Sequence, residues 1–423
     1  MKLKLSSPWA WIPTLYFAQG LPYIAVMTLS VIMYKRLGIS NTDIALYTGW
    51  LYLPWVIKPL WSPIVDIIST KRKWILAMQW LVALAFAGIA LTLPLPAYFT
   101  MSLAVFWLVG FVSATHDIAA DGFYMLALNE HQQSFYVGIR STFYRIASVV
   151  GQGGLVIVAG MVEERTGNIT LAWQTVFYIL SALFLCFAIW HSKALPKVEN
   201  ASTSDKKVGD VIRDFGKVFV TFFRKPQIAM ALLFMLLYRL PEAQLVKLIN
   251  PFLLDPLAAG GLGLSTAEVG IVYGTVGIIG LTLGGIIGGI CASRRGLAYW
   301  LRPMAWSMSL TCLTFVYLSF ASSPSLITIN ICVFIEQFGY GFGFTAYMLY
   351  LIYFAEGEYS TAHYSICTGF MALGMMLPGM AAGWIQEQLG YQNFFIWNMI
   401  CCVATIGVAH MLKINPEFGK KGS

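Results

Sequence analysis

The sequence predicts an all-α membrane protein of twelve transmembrane helices, arranged as two pseudo-symmetric six-helix bundles. Three observations carry this expectation. Of the 423 residues, 58% are hydrophobic and 11% charged, with a mean hydropathy of +0.71, whereas soluble domains carry about 25% charged residues. The chain divides into about twelve apolar segments of roughly 20 residues, the length that crosses a hydrocarbon core about 30 Å thick. The segment Leu37-Gly38-Ile39-Ser40-Asn41-Thr42-Asp43-Ile44 after the first span recurs 225 residues later as Leu262-Gly263-Leu264-Ser265-Thr266-Ala267-Glu268-Val269 after the seventh.

The spans are expected near 10–33, 44–65, 74–93, 98–125, 137–162, 171–191, 226–250, 268–291, 299–320, 324–354, 361–385 and 392–412. Met1 to Ser7 leads directly into a full-length apolar segment, so the first helix is expected to serve as its own targeting signal. The seven cysteines all fall in or at the ends of apolar spans, as small core residues rather than disulfide partners or metal ligands.

Lys and Arg set the expected orientation. With the N-terminus inside, twenty basic residues lie in cytoplasmic segments, among them Lys71, Arg72, Lys73, Arg140, Arg294 and Arg295, against Lys35, Arg36 and Arg165 outside. Both termini are therefore expected in the cytoplasm. The net charge of +8 needs no nucleic acid to explain it. Four basic residues remain within spans: Lys58, Arg145, Arg239 and Lys247.

Ser40 with Asp43, and Ser265 with Glu268, each match a helix-capping box, so local chemistry alone could produce part of the repeat. Gly20-Leu21-Pro22 in span one also answers Arg239-Leu240-Pro241 in span seven, which favours duplication. The expected domains are a bundle at 1–191, a polar linker at 192–225 with an amphipathic helix at 208–223 on the inner membrane surface, and a second bundle at 226–423. Two six-helix halves joined by such a linker resemble the plan of a major facilitator transporter.

Charges within apolar spans locate the candidate chemistry, because a charged side chain at bilayer depth costs a few kcal/mol or more and faces protein or water. Met235 to Asn250 carries Arg239, Glu242 and Lys247. In span four, Asp117 and Asp121 are four residues apart and share a helix face. They fit a reversible proton carrier, static pairing of Asp117 with Arg145 or Lys58, or contact with the substrate. Span ten offers Glu336, Tyr340 and Phe344 among glycines and rings that would form a flexible, flat surface for sugars or other planar groups. Glu336 is expected to pair with Arg239 or to bind a proton. Asp66, before the basic loop with Arg72, fits either a cytoplasmic latch that forms in one conformation and breaks in another or an ordinary positive-inside loop. The Gly-Pro pair of antiporter motifs is absent near Gly151, which favours symport or uniport.

Tyr16-Phe17-Ala18-Gln19-Gly20-Leu21-Pro22, Lys58-Pro59-Leu60-Trp61-Ser62-Pro63-Ile64-Val65-Asp66 and Ser113-Ala114-Thr115-His116-Asp117-Ile118-Ala119-Ala120-Asp121 together resemble AmpG-type muropeptide permeases of the major facilitator superfamily. So does the stretch from Ser360 to Trp384. Acetyl-CoA transporters and some siderophore permeases share the broader pattern. The resemblance implies proton-driven import of anhydro-muropeptides across a bacterial inner membrane. Position 116 departs from it, holding His where Gln is expected; that residue could add pH sensitivity or simply pack between helices.

The expected mechanism is alternating access with spans one, four, seven and ten lining a cavity. Arg239, with Lys58, Arg145 and Gln19, would hold the solute, and Tyr238, Tyr340 and Phe344 would stack on it. Asp117, Asp121, Glu242 or Glu336 would exchange a proton. No cofactor or metal is expected beyond the proton gradient. The expected partners are a small-molecule solute and the bilayer, with the chain a monomer. A siderophore or acyl-CoA permease of the same fold is the nearest alternative. A membrane-embedded transferase is disfavoured by the absence of a local nucleophile constellation; a receptor that moves no solute is a further class.

Overall fold

In the computed structural model, which describes residues 7–128, 130–198, 208–357 and 359–418, the regular structure is helical throughout those residues. Ten helices among them are each long and apolar enough to cross a membrane. The longest, Ala362–Met411, is divided at Gly390, whose φ of 71° and ψ of 167° leave the helical region, and it supplies spans eleven and twelve. Such a φ is open to glycine and strained for most other residues. Span two is split at Leu51 into Asn41–Trp50 and Leu53–Ile68, so neither half reaches spanning length alone. These two divisions bring ten long helices to twelve crossings. Each expected span is met within a few residues.

Side-chain caps explain where several spans begin. Ser40, Thr70, Asn168, Ser265 and Ser325 each accept a bond from the backbone N–H three residues on, which satisfies a donor that the first helical turn leaves open. Ser265 and Glu268 complete a reciprocal capping box, as the repeat predicts. Aliphatic residues such as Leu84, Ile327 and Val403 stay largely exposed on the outer helix faces, where lipid tails rather than water are the natural neighbours.

The chain forms two compact units, Met1–Leu37 with Ile57–Arg213, and Gly38–Val56 with Asp214–Ser423. The first half of span two thus groups with the second unit. Trp11, Tyr16, Phe123 and Tyr124 form part of the first unit's core. Phe234, Tyr238, Met304 and Tyr347 lie in the core of the second.

The linker helix occupies Val208–Phe223, the expected segment. Its C-terminal end docks on protein: Phe222 is fully buried against Phe354, Phe370 and His363. Just beyond it, Lys225 Nζ donates to the carbonyls of Phe354 and Glu356 at 2.6 Å each. Partial desolvation in this seat lowers the pKa of the Lys225 ammonium.

Candidate functional site

The charged residues fall into two groups, one in each unit. In the second unit span seven is broken. Ile228–Leu237 and Leu240–Leu254 are separate helices, with Arg239 between them at φ −102° and ψ 16°. Pro241, at the start of the second helix, has no N–H to donate backwards and fits a first turn. The carbonyls beside the break are met by span twelve: Thr405 Oγ1 donates to Tyr238 O at 2.9 Å and Asn398 Nδ2 to Pro241 O at 2.7 Å. Pro22 is answered differently. Span one stays helical through it and then forms a π-turn at Ala25–Leu29. The shared Leu-Pro pairs therefore do not produce the same hinge.

The break places Arg239 among aromatic rings and acids. Its guanidinium lies 4.8 Å from the Phe344 ring centre and 5.5 Å from that of Tyr340, and it donates to the Tyr340 hydroxyl. A cation over such a ring is stabilised by the ring's quadrupole. Tyr340 and then Glu242, one helical turn along, act on Arg239 electrostatically. Of the two expectations for Glu336, pairing with Arg239 or binding a proton, the first is not what its contacts show: it accepts a hydrogen bond from Gln337 Nε2 at 2.8 Å and feels the charge of Glu242. All three charged residues are buried, and Arg239 Nε and Glu242 Oε1 have no hydrogen-bond partner.

Span ten explains this arrangement by its periodicity. Glu336, Tyr340 and Phe344 follow each other at four-residue spacing and share a face. Its glycines serve other faces. A Cβ on Gly341 would lie 2.1 Å from Leu281 O of span eight, and one on Gly339 would lie 2.2 Å from Thr311 Oγ1 of span nine. These glycines make room for neighbouring helices, which corrects the expectation of a flexible surface. Tyr238 is also placed otherwise: it is fully buried, stacks on Tyr347 and donates to Gly343 O at 3.0 Å, so it packs spans seven and ten together.

Two turns beyond Arg239, buried Lys247 donates to Thr48 Oγ1 at 2.9 Å and lies over the Tyr52 ring at 5.2 Å. Tyr52 belongs to the turn that joins the two halves of span two, and Thr48 to the first half. The same segment is bound to span eleven and its neighbours at its start. Asn41 Nδ2 donates to Gln386 Oε1 at 2.7 Å and to Tyr391 OH at 3.0 Å, and Tyr391 donates to Asp255 at 2.6 Å. Glu387 accepts from the Thr42 N–H and hydroxyl, an anion set at a helix N-terminus. Sequence reasoning gave Asp255, Gln386, Glu387 and Tyr391 no role. Their only local signal is polarity at the ends of apolar spans.

In the first unit, Lys58 Nζ lies 3.8 Å from Asp117 Oδ2. This is one of the two static pairings open for Asp117. Asp121 pairs with Arg140 at 3.3 Å and accepts from Tyr16 OH at 3.4 Å, while the Arg140 guanidinium sits 4.6 Å from the Tyr16 ring centre. Arg140, counted among the cytoplasmic basic residues and inside the expected fifth span, lies within a helix, Glu130–Val149. Asp117 and Asp121 thus have separate cations. Gln19 is buried in span one with Oε1 unpartnered, and Arg145 is half-buried in span five. His116 lies in the interior, 3.1 Å from Gln79. Arg72 donates to the carbonyls of Ser192 and Leu195, at the end of span six; the Asp66 side chain lies outside the described residues.

A model of the Major Facilitator Superfamily matches residues 14–376. The chain belongs to that superfamily. It is a transporter, not an enzyme, embedded in a membrane through many crossings and acting on small molecules. Among curated relatives, the Rickettsia conorii protein named Putative transporter AmpG 4 is 25% identical over 416 residues, with 94% of each chain covered. The anhydromuropeptide permease of Escherichia coli K12 is 26% identical over 403 residues, covering 92% of this chain and 76% of the relative. Among solved structures, a D-xylose-proton symporter superposes with a TM-score of 0.71 at 12% identity, covering 96% of this chain and 97% of the other. The nucleoside transporter NupG gives 0.66 at 17% identity, covering 98% and 100%. At these identities the solved structures bear on the fold alone, and they agree with the twelve-helix plan.

Proposed function

We propose that this transporter imports anhydro-muropeptides, or closely related amino-sugar fragments of the cell wall, by proton symport through alternating access. The single observation that carries this reading is the Arg239 site. A buried guanidinium lies against Phe344 and Tyr340 at a helix break, with Nε unbonded. Planar guanidinium suits a carboxylate, and flanking rings suit the apolar face of a sugar. The name of the Escherichia coli relative supports the same solute class. The protein acts as a monomer without cofactor or nucleic acid, in the inner membrane of a bacterium with both termini cytoplasmic, as the distribution of Lys and Arg supports.

Glu336 carries the coupled proton. Glu242 lies in the field of Arg239, whereas Glu336 has a neutral amide and a second carboxylate beside it. Two close acids hold one negative charge more easily than two.

Proteoliposome uptake of a panel of muropeptides, ferric siderophores and acyl-CoA, with and without an imposed pH gradient, tests both parts. Muropeptide uptake stimulated by an acidic exterior is expected, with no such uptake of the other two. Glu336→Gln is expected to retain downhill exchange and to lose accumulation driven by the gradient. Gradient-driven siderophore or acyl-CoA uptake would replace the solute assignment. Uphill uptake that survives in Glu336→Gln would remove Glu336 from coupling.

A further inference from the structure

Four side chains from four spans form one hydrogen-bonded chain inside the first unit. Thr14 Oγ1 of span one lies 2.9 Å from His191 Nε2 of span six, and His191 Nδ1 lies 3.0 Å from Gln79 Oε1 of span three. Gln79 Nε2 in turn lies 3.1 Å from His116 Nε2 of span four. Gln79 and His191 are fully enclosed and His116 is 3% exposed. In an apolar interior such groups are costly unless each finds a partner.

The pattern of donors fixes how the links are made. The Gln79 carbonyl oxygen accepts, so His191 donates from Nδ1 and leaves Nε2 to accept from the Thr14 hydroxyl. The Gln79 amide nitrogen donates, so His116 Nε2 accepts and its proton resides on Nδ1. Every link is made with both rings neutral, which gives the chain a structural task that needs no titration.

His116 and Asp117 are consecutive in span four and so point about 100° apart around its axis. His116 is held toward span three, and Asp117 meets Lys58 of span two at 3.8 Å. A rotation of span four that loosened the first contact would carry the carboxylate away from the second.

We propose that His116 is a positioning residue: through Gln79, His191 and Thr14 it fixes the rotation of span four and so holds Asp117 against Lys58. Its importance for uptake rests on the proposed transport function, with Asp117 contributing to it.

The test separates position from transport. His116→Leu and Gln79→Leu remove the link, and His116→Gln keeps an amide able to meet Gln79. Uptake of the anhydro-muropeptide is measured for each. Rotation of span four is read independently in a chain whose seven native cysteines are replaced by serine, carrying cysteines at 58 and 117 and treated with a short bifunctional maleimide. Each leucine variant is expected to lose about tenfold in uptake, the scale of one to two buried neutral hydrogen bonds, and most of its cross-linking. His116→Gln is expected to keep both. The double leucine variant is expected to be no worse than either single one, since both cut the same chain.

Unchanged cross-linking in both leucine variants would overturn the proposal, whatever happens to uptake. Reduced cross-linking with normal uptake would support the positioning and remove Asp117 from transport. Should His116→Leu fail to insert, Gln79→Leu leaves the histidine in place and gives the same reading.

Discussion

Arg239→Leu is expected to lower the yield of correctly folded transporter and to abolish uptake by the fraction that folds. The substitution leaves Glu242 buried without the cation whose field it shares. Removing one member of a buried charged pair typically costs about 3–5 kcal/mol, because the remaining charge is uncompensated. Arg239→Lys separates charge from shape. It keeps the cation but loses the planar fork that lies against Phe344 and bonds Tyr340. The contact with the ring and the charged hydrogen bond together make a loss of roughly 2 kcal/mol reasonable, or about 30-fold in uptake. Size-exclusion profiles in detergent would report folding, and proteoliposome uptake would report function. A leucine variant that folds and transports normally would remove Arg239 from the mechanism.

The second large effect is expected at the seam between spans eight and ten. A Cβ on Gly284 would lie 2.1 Å from Phe338 O and 2.9 Å from Phe342 N, and one on Gly341 would lie 2.1 Å from Leu281 O. The obstructing atoms are backbone, so no side chain can swing aside. Gly284→Ala is expected to push the helices apart at a cost of about 3 kcal/mol, the upper end for overpacking. Loss of the thermal unfolding transition or a fall of many degrees in detergent would show it; an unchanged midpoint would contradict the seam. The double variant with Gly341→Ala is expected to cost less than the two single changes added, because one separation relieves both clashes. Glu336 and Tyr340 lie on the same helix as this seam, so uptake should fall along with stability.

The positions of the crossings were legible in the sequence because a span is a local property, an apolar run long enough for the bilayer. The linker helix at 208–223 was legible for a similar reason, as a local amphipathic pattern in a polar segment. Contacts between spans were much less so. Asp117 had two candidate cations in the sequence, and only packing shows Lys58 beside it. Arg140 counted only as a charge that sets orientation, yet it reaches Asp121 from within its helix. In span ten, the alternation of glycine and aromatic residues is compatible with either a flexible wall or close helix packing. The neighbours of Gly339 and Gly341 decide between these, and they come from other spans. Pro22 and Pro241 show the same limit. Equivalent residues in a repeated framework are accommodated by a π-turn in one half and a break in the other.

The two bonds from span twelve to the break in span seven have a mechanical consequence. Thr405 and Asn398 are seven residues apart, two turns along the same helix, and hold opposite sides of Arg239. A helix interrupted at its middle would ordinarily act as a loose joint, yet here both pieces are splinted to one rod. A tilt of span twelve would carry the guanidinium with it, so residues remote from any solute help set the depth at which the charge is presented.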